Sequence, residues 1–278
     1  MSLGMDRIDP KEIPDGVLRD FRNMVQKYSV ALVLADGEGD TSRYACHASG
    51  TLVEHDGFLC ILTAGHVVEA ISQHEWLGVP VAEIRHRPPF FPTGALVSKT
   101  LYTGGASQWG PDLALVRLPA GNLGDITARK SFLNVTRRAA SVLKSIPDFD
   151  RGAWGIVGCP SEISEISGQE GVIVTATYVS YFPSMVEQAP YDYFDHVVNY
   201  ALAPTLPRDF GGLSGGGMWH VEVGRQSDGS LAWDGELELL GVAFYQLPDK
   251  ESPLEKAYVR CHGPKSLYGE FLPLVKFQ

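Results

Sequence analysis

Cysteine is scarce: the 278 residues hold four, Cys46, Cys60, Cys159 and Cys261, with no Cys-x-x-Cys pair. That spacing excludes a zinc ribbon and a dense disulfide framework, and it leaves the thiols as small, reduced packing groups. No apolar run is long enough to span a bilayer as a helix, so no membrane partner is expected. Positive charge is in deficit as well. The 23 Lys and Arg face 33 Asp and Glu, a formal net charge of −10. A surface of that sign repels phosphate backbones and excludes nucleic acid as the main partner. Met1 to Pro14 carries charges where an export leader needs an apolar core, so the expected compartment is the cytoplasm.

What is present is a chain with 44% hydrophobic and 20% charged residues, the balance of a folded globular protein. Asp15 to Tyr28 places Val17, Leu18, Phe21, Met24 and Val25 on one helical face. Short apolar runs separated by turns follow: Tyr28 to Ala35, Ala48 to Val53, Phe58 to Thr63, Val79 to Arg85, Ala95 to Tyr102 and Leu113 to Leu118. The Asp56-Gly57 step between two of them is a hairpin signal. Pro119 to Asp150 is looser and more polar, with a helix expected over Val135 to Ser145. Strands resume at Ala153 to Gly158, Val172 to Phe182, Tyr193 to Leu202, Gly217 to Val223, Glu238 to Tyr245 and Lys256 to Arg260. Lys265 to Val275 is expected to close with a short helix. The pattern predicts an all-β protein in two halves, with a cleft between them.

Three short motifs carry chemistry. Leu62-Thr63-Ala64-Gly65-His66-Val67 sets a histidine at a strand end, where an imidazole can serve as general base. Gly110-Pro111-Asp112-Leu113-Ala114-Leu115 sets a carboxylate at the head of an apolar strand, where it must be paired or hydrogen-bonded. Phe210-Gly211-Gly212-Leu213-Ser214-Gly215-Gly216-Gly217 holds one hydroxyl among five glycines, a turn that can project a nucleophile beside converging N–H groups. Alone, each reads more simply as a turn histidine, a capping aspartate and a glycine-rich turn. They stand in the order His66, Asp112, Ser214, separated by 46 and 102 residues.

Together these motifs resemble the chymotrypsin-like (trypsin-like) serine peptidase family, over most of the chain from about Tyr28 onward. The resemblance implies two antiparallel six-stranded β-barrels: residues 29–125 with His66 and Asp112, and residues 151–278 with Ser214. Residues 126–150 would connect them, and residues 1–28 would form a helical extension. It implies a serine endopeptidase in which Ser214 is the nucleophile, His66 the general base and then acid, and Asp112 the orienting carboxylate. The N–H groups of Gly212 and Ser214 would form the oxyanion hole. Phe244, Tyr245 and Gln246 would pair with substrate, and Arg208 would stand near the first pocket. The implied partners are a protein or peptide substrate and an activating or inhibiting protein; no cofactor and no metal is implied.

The chain departs from that family before the serine, where Leu213 replaces the aspartate that binds a freshly cut N-terminus in secreted digestive members. The disulfide that brackets the histidine in those relatives is absent too. Both departures suit an intracellular, bacterial-type member. An α/β-hydrolase elbow also fits Gly212-Leu213-Ser214-Gly215-Gly216, but it needs its acid and histidine afterwards, and only 64 residues remain. A catalytically silent peptide-binding module on the same fold is the alternative of a different class. An anion-binding nest lacks the Lys and Ser/Thr of a P-loop. His47, His55, His74, His86, His196, His220 and His262 have no metal-site spacing and are expected at the surface or in loops.

Overall fold

The computed structural model describes residues 12–37, 45–81, 89–102, 110–145, 152–163, 176–180, 183–188, 191–200, 207–233, 236–248 and 255–278. Helix α1 (Asp15–Val25) opens on Pro14, carries Asp15 in its first turn and Arg22 in its last, and buries Leu18, Phe21 and Val25. Those charges match the helix dipole, and the buried spacing is that of one helical face.

The first sheet contains β1 (Ser29–Ala35), β2 (Ala45–His55), β3 (Phe58–Thr63), β4 (Trp76–Gly78), β5 (Phe90–Pro92), β6 (Val97–Tyr102), β7 (Asp112–Arg117) and β8 (Leu133–Asn134). Its order is β5-β4-β1-β2-β3-β7-β6, with β8 paired to β2. β1 is buried at every position, which its unbroken Val and Leu run requires of an inner strand. The β2–β3 hairpin turns on Asp56 and Gly57, both at positive φ, as a tight primed turn demands. Helix α2 (Gly65–Ile71) leaves directly from the end of β3.

Two further helices, α3 (Leu123–Thr127) and α4 (Val135–Lys144), fill the connection. The Asn134 side chain caps α4 by accepting from Arg137 N at 2.9 Å, which realises the helix expected there. The second sheet contains β9 (Ala153–Gly158), β10 (Ala176–Ser180), β11 (Pro183–Gln188), β12 (Tyr191–Asn199) and β13 (Gly217–Val221). After a ribbon of β14 (Val223–Arg225) and β15 (Leu231–Trp233) come β16 (Glu238–Pro248) and β17 (Lys256–His262). The order is β10-β9-β13-β16-β17-β12-β11. The chain closes with a π-type turn, Lys265–Phe271, running into α5 (Leu272–Leu274). The Asp192 carboxylate caps that start by accepting from Lys265 N and Ser266 N.

The β-rich class is as expected, but two closed six-stranded barrels are not formed among the described residues. The first sheet curls as an open path from β5 to β6. β5 is three residues long and ends on Pro92, which has no N–H to offer a further ladder. The strand expected over Val79 to Arg85 is displaced to β4, and residues 82–85 lie outside the described residues. One apolar cluster joins the halves, taking Leu62, Leu113 and Leu115 from the first sheet and Ile156, Met218, Trp219 and Val242 from the second. α1 belongs to this cluster through Phe21 and Val25. No described helix is long and apolar enough to cross a membrane.

Cys60, Cys159 and Cys261 are buried and outside any disulfide, and burial pushes the Cys60 thiol up to about 12. The surface placement expected for the other histidines fails at His55, His196, His220 and His262, all buried. Burial lowers His196 and His262 from 6.5 to about 3. Between those values the unfolded chain binds protons that the native rings refuse. Their stabilisation is therefore complete above about pH 6.5 and is lost as pH falls toward 3. Tm should drop by roughly 10 °C from pH 6.5 to 4.5, read by calorimetry. A flat Tm across that window would mean that water reaches both rings.

Candidate active site

His66 owes its position to the abrupt strand-to-helix change at Ala64, which is extended and serves as the N-cap of α2. His66 N is one of the donors that the first helical turn leaves without an intrahelical partner. Asp112 Oδ1 accepts from it at 2.9 Å, while Oδ2 lies 2.7 Å from His66 Nδ1. A carboxylate can only accept, so Nδ1 carries the proton and Nε2 keeps its lone pair for a base's work. His66 keeps 37% of its side chain exposed and Asp112 only 11%, so the carboxylate is walled off while the imidazole stays open to solvent. Gly65 is needed for this fit. A Cβ there would stand 2.6 Å from Tyr102 Cβ and 3.0 Å from Asp112 Oδ1.

Ser214 lies in a turn whose carbonyls are drawn away from it. Gly211 O accepts from Ser161 N at 2.6 Å, and Leu213 O accepts from Gly216 N at 2.8 Å. In a trans peptide the N–H points opposite to the preceding C=O, so Gly212 N–H and Ser214 N–H face the other way. Neither finds an acceptor among the described residues. Gly212 and Gly215 hold the turn at φ +85° and +88°.

The turn is stapled from the first sheet by Ser49 of β2. Ser49 N donates to Ser214 O at 2.8 Å, and its Oγ donates to Gly212 O and accepts from Cys159 N, each at 2.7 Å. Ser49 O in turn accepts from Thr63 Oγ1 at 2.9 Å, three residues before His66. The Ser214 turn and the strand end that leads to His66 thus share one anchor. Leu213 is buried and packs close to Gly158, an apolar anchor for the turn. Ser49 lies outside the three motifs read from the sequence. Its signal was a pair of hydroxyls, Ser49 and Thr51, in the run Ala48 to Val53 that is otherwise Ala, Gly, Leu and Val, where buried O–H groups must find partners.

A pocket of about 280 Å³ opens beside Ser214, lined also by Asp209, Phe210, Phe244, Tyr245, Gln246 and Val259. Gln246 ties its two walls together: Oε1 accepts from Phe210 N at 2.9 Å and Nε2 donates to Arg208 O at 3.0 Å. Arg208 itself lies outside this lining, its guanidinium 4.0 Å over the Tyr200 ring. Asp209 Oδ1 accepts from Gly211 N at 2.7 Å, and Glu162 Oε2 accepts from Arg208 N and Asp209 N at 2.7 Å each. Tyr245 is exposed at a β-bulge between Ala243 and Tyr245, beyond the last residue of β16 that pairs with β13, Val242. The structure brings His66 and Asp112 into direct contact. Ser214 Oγ makes no hydrogen bond among the described residues.

No family model and no curated protein matches the chain. Among solved structures it is similar to the active form of the Rv3671c protease from M. tuberculosis, at 12% identity and TM-score 0.48, over 99% of this chain and 91% of that one. It is also similar to AL20, a thermostable serine protease from an extremophilic microorganism, at 12% identity and TM-score 0.43, over 84% of this chain and 90% of that one. One neighbour is a protease and the other a serine protease.

Proposed function

We propose that the chain is a serine endopeptidase of chymotrypsin-like architecture, acting on a protein or peptide substrate without a cofactor. The observation that carries this reading is the Asp112 carboxylate gripping both His66 N and His66 Nδ1, which leaves Nε2 as the free base. In the reaction His66 Nε2 takes the proton of Ser214 Oγ as that oxygen bonds to the scissile carbonyl carbon. The same proton goes to the departing amine when the C–N bond breaks, and water repeats the cycle on the acyl-enzyme. The N–H groups of Gly212 and Ser214 receive the oxyanion. Phe244 to Gln246 offers substrate a strand edge, and Asp209 and Gln246 border the pocket for the residue before the cut. The working division places His66 and Asp112 in residues 29–125 and Ser214 in residues 151–278.

The test is labelling with a fluorophosphonate, wild type beside Ser214→Ala. Wild type should label and the variant should not; labelling that survives the substitution removes Ser214 from the role. The Ser214 hydroxyl, unbonded among the described residues, favours one second reading, a peptide-binding module that is silent or waits for a partner. Under that reading, folded wild type fails to label but still binds extended peptides.

A further inference from the structure

His262 ends β17, is fully buried and lies 150 residues from Asp112 in the chain, yet the two are joined directly. The Asp112 main-chain N–H donates to His262 Nε2 at 2.9 Å. β3 cannot supply that acceptor, because its ladder with β7 stops at Thr63 opposite Ala114, where α2 begins. An N–H only donates, so His262 Nε2 must be bare and the ring proton must sit on Nδ1, the neutral tautomer. The ring is held flat against Phe244, with centroids 4.2 Å apart and planes 18° from parallel, and tilted against Tyr193 at 5.4 Å. Phe244 is the first residue of the segment proposed to pair with substrate.

We infer that His262 is a positioning residue, fixing the main chain of Asp112 so that both carboxylate oxygens meet His66. Through its stack on Phe244 it also sets the distance between that pair and the substrate edge. The inference rests on the proposed role of His66 as general base. Protonation would turn Nε2 into a second donor facing Asp112 N–H and break the contact. Desolvation opposes that proton and the Asp112 charge favours it, with desolvation the stronger.

His262→Phe keeps a ring in the cage and removes the acceptor, whereas His262→Gln can return an amide oxygen. With a peptide substrate, the Phe variant should lose about 100-fold in kcat with KM nearly unchanged, the size of effect expected when a catalytic group is misplaced by about 1 Å. The low-field proton resonance of His66 Nδ1–H should move upfield or vanish, and His262→Gln should recover most of both. Full kcat and an unmoved His66 resonance in a folded Phe variant would overturn the inference, leaving His262 as packing. If that variant does not fold, nitrogen shifts of the wild-type ring decide: a proton on Nδ1 supports the inference and a proton on Nε2 ends it. Both resonance measurements work without turnover, so failure to label with fluorophosphonate sinks the protease reading separately.

Discussion

Asp112→Asn should lower kcat by about 10⁴-fold while the protein stays folded and KM changes little. The carboxylate serves two donors at once, His66 N–H and His66 Nδ1–H. An amide has one oxygen. If that oxygen stays on the main-chain N–H, the NH₂ group faces Nδ1 and forces the ring proton onto Nε2. The nitrogen that should take the serine's proton then already carries one. If the amide turns over, the first turn of α2 loses its acceptor and His66 loses its seat. Active-site titration and kcat on a peptide substrate would check this. Activity within tenfold of wild type would mean that Asp112 is only a helix cap.

Gly215→Ala should destabilise the protein by about 3 kcal/mol or more and abolish fluorophosphonate labelling in the molecules that still fold. A Cβ at this position would lie 2.0 Å from Ser49 O and 2.1 Å from Thr63 Oγ1, at a φ of +88°. The first obstacle is backbone and the second is a buried hydroxyl already bonded to Ser49 O, so no side-chain rotation relieves the clash. Gly229→Ala separates the two causes. Its φ is +84°, but nothing stands within 4 Å of the added carbon, so it should cost only about 1 kcal/mol. Equal urea midpoints for the two variants would show that conformation alone sets the cost.

How much of this was legible in the sequence follows the range of the interactions. β3, β6, β7, β9 and α4 lie where periodicity and turn residues placed them, because a hairpin step or a cap acts within a few residues. α2 went unread, since seven residues with Val67 and Val68 carry little helical signal before the Asp112 carboxylate takes the His66 N–H of its first turn. The His66–Asp112 contact was legible only as a pattern, from two strand-end motifs. Ser49 to Gly212 and Asp112 to His262 span 163 and 150 residues, and no local rule announces either. His262 was read as peripheral because spacing says nothing about a single buried ring. Sheet order was not legible for a related reason: Pro92 and the brevity of β5 matter only once strand neighbours are known.

Ser49 makes the two halves of the molecule mechanically inseparable at Ser214. Its amide and hydroxyl hold two carbonyls of a turn that belongs to the other sheet. The turn therefore cannot rearrange while β2 stays in place, and it cannot keep its shape once β2 withdraws. Loss of the turn's shape on heating and parting of the sheets should then be a single event, with no interval in which an intact body carries a slack Ser214 turn.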